Sequence, residues 1–143
     1  MFFMGRLLAI DYGTRRSGIA VTDPLKIVAN PLITVDTRML VDYVVSYVRD
    51  NDVEAVVVGR PINLNGQPSA SMRSLEPVFN RLRKVLSPIA VLWEDERFTS
   101  VLAHRAMIDG GMKKMDRRHK AVVDKISAAI ILNGYLDRIK LMK

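Results

Sequence analysis

The sequence predicts an α/β domain built on a mixed five-stranded sheet, three antiparallel strands then two parallel ones, with helices on both faces. Three observations predict it. Near the N-terminus, short apolar segments are joined by glycine-bounded or proline-bearing connections, the pattern of hairpins. Further along, short apolar runs alternate with stretches whose apolar residues recur at helical spacing, which is how parallel strands are reached. The chain has 143 residues, 49% of them hydrophobic, enough for one domain spanning 1–143. No internal repeat, low-complexity tract or interdomain linker divides it.

Residues 6–12, RLLAIDY, read as a buried strand. GTRRSG supplies a turn with a glycine at either end, and IAVTD follows as a second strand. Residues 26–36, KIVANPLITVD, form a third strand region, with Pro31 marking an edge or a bend. From Thr37 the period changes: Leu40, Val41, Val44, Val45 and Val48 share one helix face, and Asn51-Asp52 ends the helix. EAVVVG is a short strand of the kind buried on both faces.

RPINLNGQPSAS then reads as a loop with an Asn-Gly turn. Met72, Leu75, Val78, Phe79, Leu82 and Val85 mark a second helix, in which Pro77 predicts a kink or a late start. Residues 89–93, IAVLW, form a last strand running into the acidic EDE. Thr99 or Ser100 caps a helix reaching Gly110-Gly111, the basic MKKMDRRHK follows, and a long helix runs from about His119 to Lys140. The resulting order is β-β-β-α-β-α-β-α-α.

Composition narrows the function classes. Lys and Arg number 22 against 15 Asp and Glu, a net charge of +7, and the sequence pI is about 10.0. Such a chain attracts polyanions, nucleic acid first among them. The absence of cysteine excludes disulfides and thiolate zinc sites and fits a reducing compartment, so a cytoplasmic location is expected. No apolar run approaches the length of a membrane span, and MFFMGRLLAID lacks the features of a secretory signal. A mean hydropathy of +0.10 argues against disorder.

The chemistry resides in carboxylates. Asp11 lies inside an apolar strand, where an unpaired charge costs several kcal/mol and needs a cation or hydrogen-bond donors. Asp95 and Glu96 follow the last strand, and alternation sends them to opposite faces. Asp124 belongs to AVVDKISAAIIL, whose Val122, Ile126, Ala129 and Ile130 make an apolar face, while Ala128-Ala129 permits close packing on the sheet. One acid each from the first strand, a later strand end and the last helix can converge. Hard oxygen donors without His or Cys suit Mg²⁺ or Mn²⁺ rather than zinc. One or two such ions serve phosphodiester hydrolysis. A glycosidase pair is disfavoured, since no sugar-binding aromatic cluster accompanies the acids.

Four motifs together carry a resemblance. Asp11-Tyr12-Gly13-Thr14-Arg15-Arg16 with Gly18-Ile19-Ala20, Val57-Val58-Gly59-Arg60-Pro61 with Gly66, Asp95-Glu96-Arg97-Phe98-Thr99-Ser100, and Asp124 with Ala128-Ala129 resemble the YqgF, or RuvX-like, family over essentially the whole chain. The resemblance implies a ribonuclease H-like fold related to RuvC. It also implies a nuclease processing the 5′ end of precursor 16S rRNA in ribosome biogenesis, with Holliday junction resolution as the alternative. Carried over by position, Asp11, Glu96 and Asp124 become the metal-binding, catalytic carboxylates, with Asp95 the fallback for the second. RuvC-type enzymes carry a glutamate near the end of the fourth strand, whereas this chain reads Gly59-Arg60-Pro61 there. Structured RNA, branched DNA and pre-ribosomal particles are the implied partners.

Arg15, Arg16 and Arg60 are the expected phosphate contacts near the acids. Lys113, Lys114, Arg117 and Arg118, with His119 and Lys120, make a positive phosphate-tracking segment beside the Asp124 helix. Arg97 is expected to pair with a carboxylate, and Asn63, Asn65 and Gly66 to form a loop near substrate. Trp93 reads as core, and the methionines as gap filling. His104 and His119 lack metal-ligand spacing and are assigned no catalysis.

Two rivals share these features. Sugar kinases and actin-like phosphotransferases also begin with Asp-x-Gly-Thr on a hairpin, but clamp nucleotide between two such domains. A nonenzymatic nucleic-acid-binding module on the same fold would not need the carboxylate set.

Overall fold

The computed structural model describes residues 5–61, 71–95 and 117–141, with the side chains of the last segment described over 124–140. The expected helix over 99–110, the Asn63–Gly66 loop, Glu96, Arg97, His104, Lys113 and Lys114 lie outside the described residues.

The elements are β1 (Arg6–Asp11), β2 (Arg16–Thr22), β3 (Ala29–Asp36), a 3-10 turn (Thr37–Met39), α1 (Leu40–Asp50), β4 (Val53–Arg60), α2 (Met72–Leu86), β5 (Ala90–Asp95) and a long α3 (Arg117–Leu141). The strands form one sheet in the order β3-β2-β1-β4-β5. β1 pairs antiparallel with β2 and β2 with β3, whereas β4 runs parallel to both β1 and β5. This is the expected mixed sheet, with β1 at its centre.

Alternation along the strands sorts two cores. On one face Leu8, Ile10, Val56, Val58 and Val91 meet Leu40 and Val44 of α1 and Leu75, Phe79 and Leu82 of α2. On the other, Leu7, Ala9, Ala20, Ala55 and Val57 meet Ala128, Ala129, Ile131, Leu132 and Leu136 of α3. The second face is rich in alanine on both sides, so α3 lies close to the sheet. Burial of Ile131, Leu132 and Leu136 contributes about 1.5–3 kcal/mol each toward holding it there.

Three local differences from the sequence reading have physical causes. β3 begins at Ala29 instead of residue 26, because Asp23 takes the intervening amides: its Oδ1 accepts from Ile27 and Val28 N–H, both at 2.8 Å, and its Oδ2 from Leu25 N–H at 3.1 Å. Those three amide bonds, Val28's first, hold the Asp23 carboxyl below its ordinary range, and Lys26 turns through φ 60°. β2 begins at Arg16, within the stretch expected to be turn, because β3 is long enough to pair Arg16 with Asp36 and Gly18 with Thr34. α2 starts at Met72 and continues through Pro77, with no late start. Pro77 sits on the exposed side, where the carbonyl deprived of its partner can be hydrated.

Pro31 does occupy an edge strand, at the place where the β2–β3 register skips a residue.

Candidate metal and nucleic-acid site

Asp11 is the last residue of β1, at the carboxyl end of the central strand, and is 2% exposed. Leu7 and Ala9 face α3, so alternation turns Asp11 toward α3 as well. Across the ladder its partner is Gly18. A Cβ on Gly18 would run into the carbonyl oxygen of Asp124 and come within 2.8 Å of Lys125 N. The backbone of α3 therefore rests on Gly18 beside Asp11, and only glycine leaves the room. Asp11 and Asp124 thus share one face and one end of the central strands.

Arg16 lies on the same face by alternation from Gly18 and Ala20, and its Nε donates to Asp124 Oδ2 at 3.3 Å. The two side chains are 36% and 22% exposed. Arg15 is exposed on the turn before it.

Thr37, which the sequence reading marks only as a change of period, pins this turn. Its hydroxyl donates to Gly13 C=O at 2.6 Å and lies 2.8 Å from Ser17 Oγ, while its amide donates to Arg15 C=O at 2.9 Å. Gly13 N–H reaches Ser17 Oγ at 3.4 Å. The start of β2 is thereby locked to the end of β3 through one buried serine and one threonine.

Asp95 takes the other parity. With Val91 and Trp93 it belongs to the α1–α2 face, away from Asp11. Glu94, left unassigned within EDE, is the buried acid of this strand, at 0% exposure. Ile10 is level with Val58, and Gly59 with Glu94, so Asp11, Gly59 and Glu94 lie side by side across three strands on the α3 face. Glu94 Oε1 is 2.6 Å from Arg138 Nη2 of α3. The two form an ion pair that ties α3 to β5. Burial pushes the Glu94 carboxyl above its ordinary range, and Arg138 pulls it part of the way back. Application of the alternation rule to residue 94 as well as 95 and 96 is the signal that finds it.

Arg60 does not join Asp11. Alternation from Val56 and Val58 sends it to the α1–α2 face, where its guanidinium carbon lies 5.9 Å from the centre of the Trp93 ring. Trp93 stacks on Phe79 at 3.8 Å between centroids and an 11° interplanar angle, as core. Arg117 and Arg118 open α3. Among the described residues no three His, Asp or Glu side chains gather into a metal-holding group, and Glu96 lies outside those residues.

Comparison with known proteins gives the arrangement a lineage. A protein of Phocaeicola vulgatus named "Putative pre-16S rRNA nuclease" is 55% identical over 134 residues, covering 94% of this chain and 96% of the relative. One of Bacteroides fragilis with the same name is 49% identical over 134 residues, covering 94% and 97%. Among solved structures, T. thermophilus RuvC in complex with Holliday junction substrate aligns over 94% of this chain and 96% of that one, with a TM-score of 0.55 and 19% identity. That likeness shows the ribonuclease H-like fold expected from the sequence. Residues 5–138 match the RuvX family, described as Holliday junction resolvase. On that match and those identities, this chain belongs to the RuvX family.

Proposed function

We propose that the protein is a metal-dependent endonuclease that hydrolyses phosphodiester bonds of structured nucleic acid, with Asp11, Glu96 and Asp124 as its catalytic metal ligands. The observation that supports this reading is the seating of the Asp124 backbone over Gly18, the ladder partner of the buried Asp11, on a chain of net charge +7. The residues fit a divalent cation: both donors are hard oxygens, and a guanidinium already stands against Asp124 as a positive counter-charge. Asp95 belongs to the face opposite Asp11, which favours Glu96 over Asp95 as the third acid. Mg²⁺ or Mn²⁺ matches this donor set.

A bound divalent cation would supply electrostatic stabilisation of the phosphate and a more acidic attacking water. The chain's own residues position the substrate. Arg15 and Arg16 stand on the pinned turn beside the acids, within the same end of the sheet. The sequence Arg117-Arg118-His119-Lys120, a few residues before Asp124, is strongly basic, and Lys113 and Lys114 add to that charge in the sequence. Arg60 is left to Trp93.

The names of the relatives favour precursor 16S rRNA as substrate; its 5′ end, a pre-ribosomal particle and a cytoplasmic location are what the family resemblance adds to the proposal. The family description favours a second substrate, four-way DNA junctions. Both are tested by incubating labelled precursor-rRNA fragments and four-way junctions with the protein in Mg²⁺, Mn²⁺ or Ca²⁺. Cleavage in Mg²⁺ or Mn²⁺, lost in Asp11→Asn and Asp124→Asn with binding retained, is the expected outcome. Equal cutting by wild type and both variants would assign the activity to a contaminant and remove the enzymatic reading.

A further inference from the structure

Arg16 is placed unusually for a residue meant to touch substrate. Its partner across the β2–β3 ladder is Asp36, but the two oxygens of Asp36 are already taken by Arg38, each at 3.1 Å. Among the described residues the carboxylate left to Arg16 is Asp124. That contact is a single one through Nε at 3.3 Å, longer than the 2.7–2.9 Å usual between charged partners and not bidentate. The backbone beneath it is held at Gly13, Arg15 and Ser17 by Thr37. A loose ionic contact thus sits on a fixed backbone, at the end of the central strands where Gly18 pairs with Asp11.

Resting on the nuclease reading above, we propose that Arg16 is a tethered counter-cation of the metal seat, displaced from Asp124 by the arriving divalent cation and handed to a substrate phosphate. Charge balance supports the exchange. With the seat empty, the guanidinium offsets Asp124 beside the buried Asp11. With a divalent cation in place the same guanidinium is repelled, and the pinned backbone lets the side chain alone turn toward the exposed side. Two consequences follow. Metal binding works against Arg16, so the seat is weaker than its carboxylates alone would make it. Substrate, by capturing the guanidinium, removes that competitor, so metal and nucleic acid strengthen each other's binding reciprocally.

The test measures Mn²⁺ binding by calorimetry on the full chain without nucleic acid, and RNA binding by anisotropy with a precursor-rRNA fragment in Ca²⁺. Arg16→Met is expected to bind Mn²⁺ about two- to fivefold more tightly than wild type, the scale of a partly exposed ion pair. The same variant binds the RNA more weakly. Arg16→Gln repeats both shifts and guards against a folding defect peculiar to methionine, Arg16→Lys stays near wild type in Mn²⁺ binding, and Arg15→Met leaves Mn²⁺ affinity nearly unchanged. Unchanged or weaker Mn²⁺ binding in Arg16→Met and Arg16→Gln, RNA binding equal to wild type, or equal tightening in Arg15→Met overturns the proposal. Failure of the underlying metal reading looks different: wild type and Asp124→Asn would then bind Mn²⁺ alike, or neither would bind it.

Discussion

Replacing Arg138 with methionine removes the counter-charge of Glu94 while keeping most of the aliphatic bulk. Glu94 is 0% exposed, so the variant strands a carboxylate in the α3 interface, whereas the Arg138 side chain is 46% exposed and loses little by its own removal. Breaking a buried ion pair from one side costs about 3–5 kcal/mol. Because half of the guanidinium is screened by water, about 2–3 kcal/mol is the appropriate expectation here.

The sign of the pH dependence follows from the direction of the shift. Burial already raises the Glu94 carboxyl, and loss of Arg138 raises it further, so the folded state holds the proton more tightly than the unfolded chain. The penalty is complete above the folded pKa and fades as pH falls toward the unfolded value near about 4.3. Urea unfolding of wild type and variant from pH 8 to pH 5 should give a deficit that is largest at pH 8 and narrows steadily below it. Glu94→Gln alone should cost far less than Arg138→Met. The double variant Glu94→Gln/Arg138→Met should recover most of the loss, a strongly non-additive cycle. A deficit independent of pH, or one that the double variant does not relieve, would refute the reasoning.

Two further perturbations probe the opposite end of α3. Gly18→Ala drives a methyl into the Asp124 carbonyl and Lys125 amide, so α3 must lift there; a loss of about 1–3 kcal/mol, with cleavage abolished while circular dichroism still reports a folded protein, is expected. Wild-type melting and activity would show that α3 does not rest on Gly18. Thr37→Val keeps the shape but deletes the hydroxyl shared by Gly13 and Ser17, costing about 1–2 kcal/mol in chemical denaturation and raising KM more than it lowers kcat, because the arginine turn loosens while the acids stay. An equal loss in kcat with KM unchanged would place Thr37 behind the acids instead.

Much of this was legible because charge interrupted a period. Asp11 stands out in a strand whose neighbours are all apolar, and the small Ala128-Ala129 pair announces that the last helix approaches the sheet closely. The antiparallel-then-parallel pairing of the strands followed from short connections early and helical ones later. What escaped was decided by side chains reaching across the fold. Asp23 captures the amides that would otherwise have begun β3 sooner. Glu94 looks like one acid in a solvated run until its parity is set against Arg138, a residue from another element. Arg60 sits in a motif beside Gly59, yet alternation sends it to Trp93 instead of the acids.

With Asp124 in the proposed site, stability and chemistry share one helix. α3 is fixed at two separated points: its Asp124 backbone lies on Gly18, and its Arg138 reaches across to Glu94 on the edge strand. Between them lie alanines and the buried Ile131, Leu132 and Leu136. The approach that buries this apolar stripe is therefore the same approach that brings the Asp124 backbone onto Gly18, the ladder partner of Asp11. A helix so held has little freedom to slide, since any rise at Gly18 uncovers the alanine contacts and any shift at Arg138 exposes a carboxylate to an apolar surface. Glu94 thus costs the fold a buried charge but ties the far end of the helix to the edge strand β5. On this geometry the Arg138→Met variant should lose cleavage as well as stability at neutral pH, although residue 138 touches neither Asp11 nor Asp124, and lowering the pH should restore the fold.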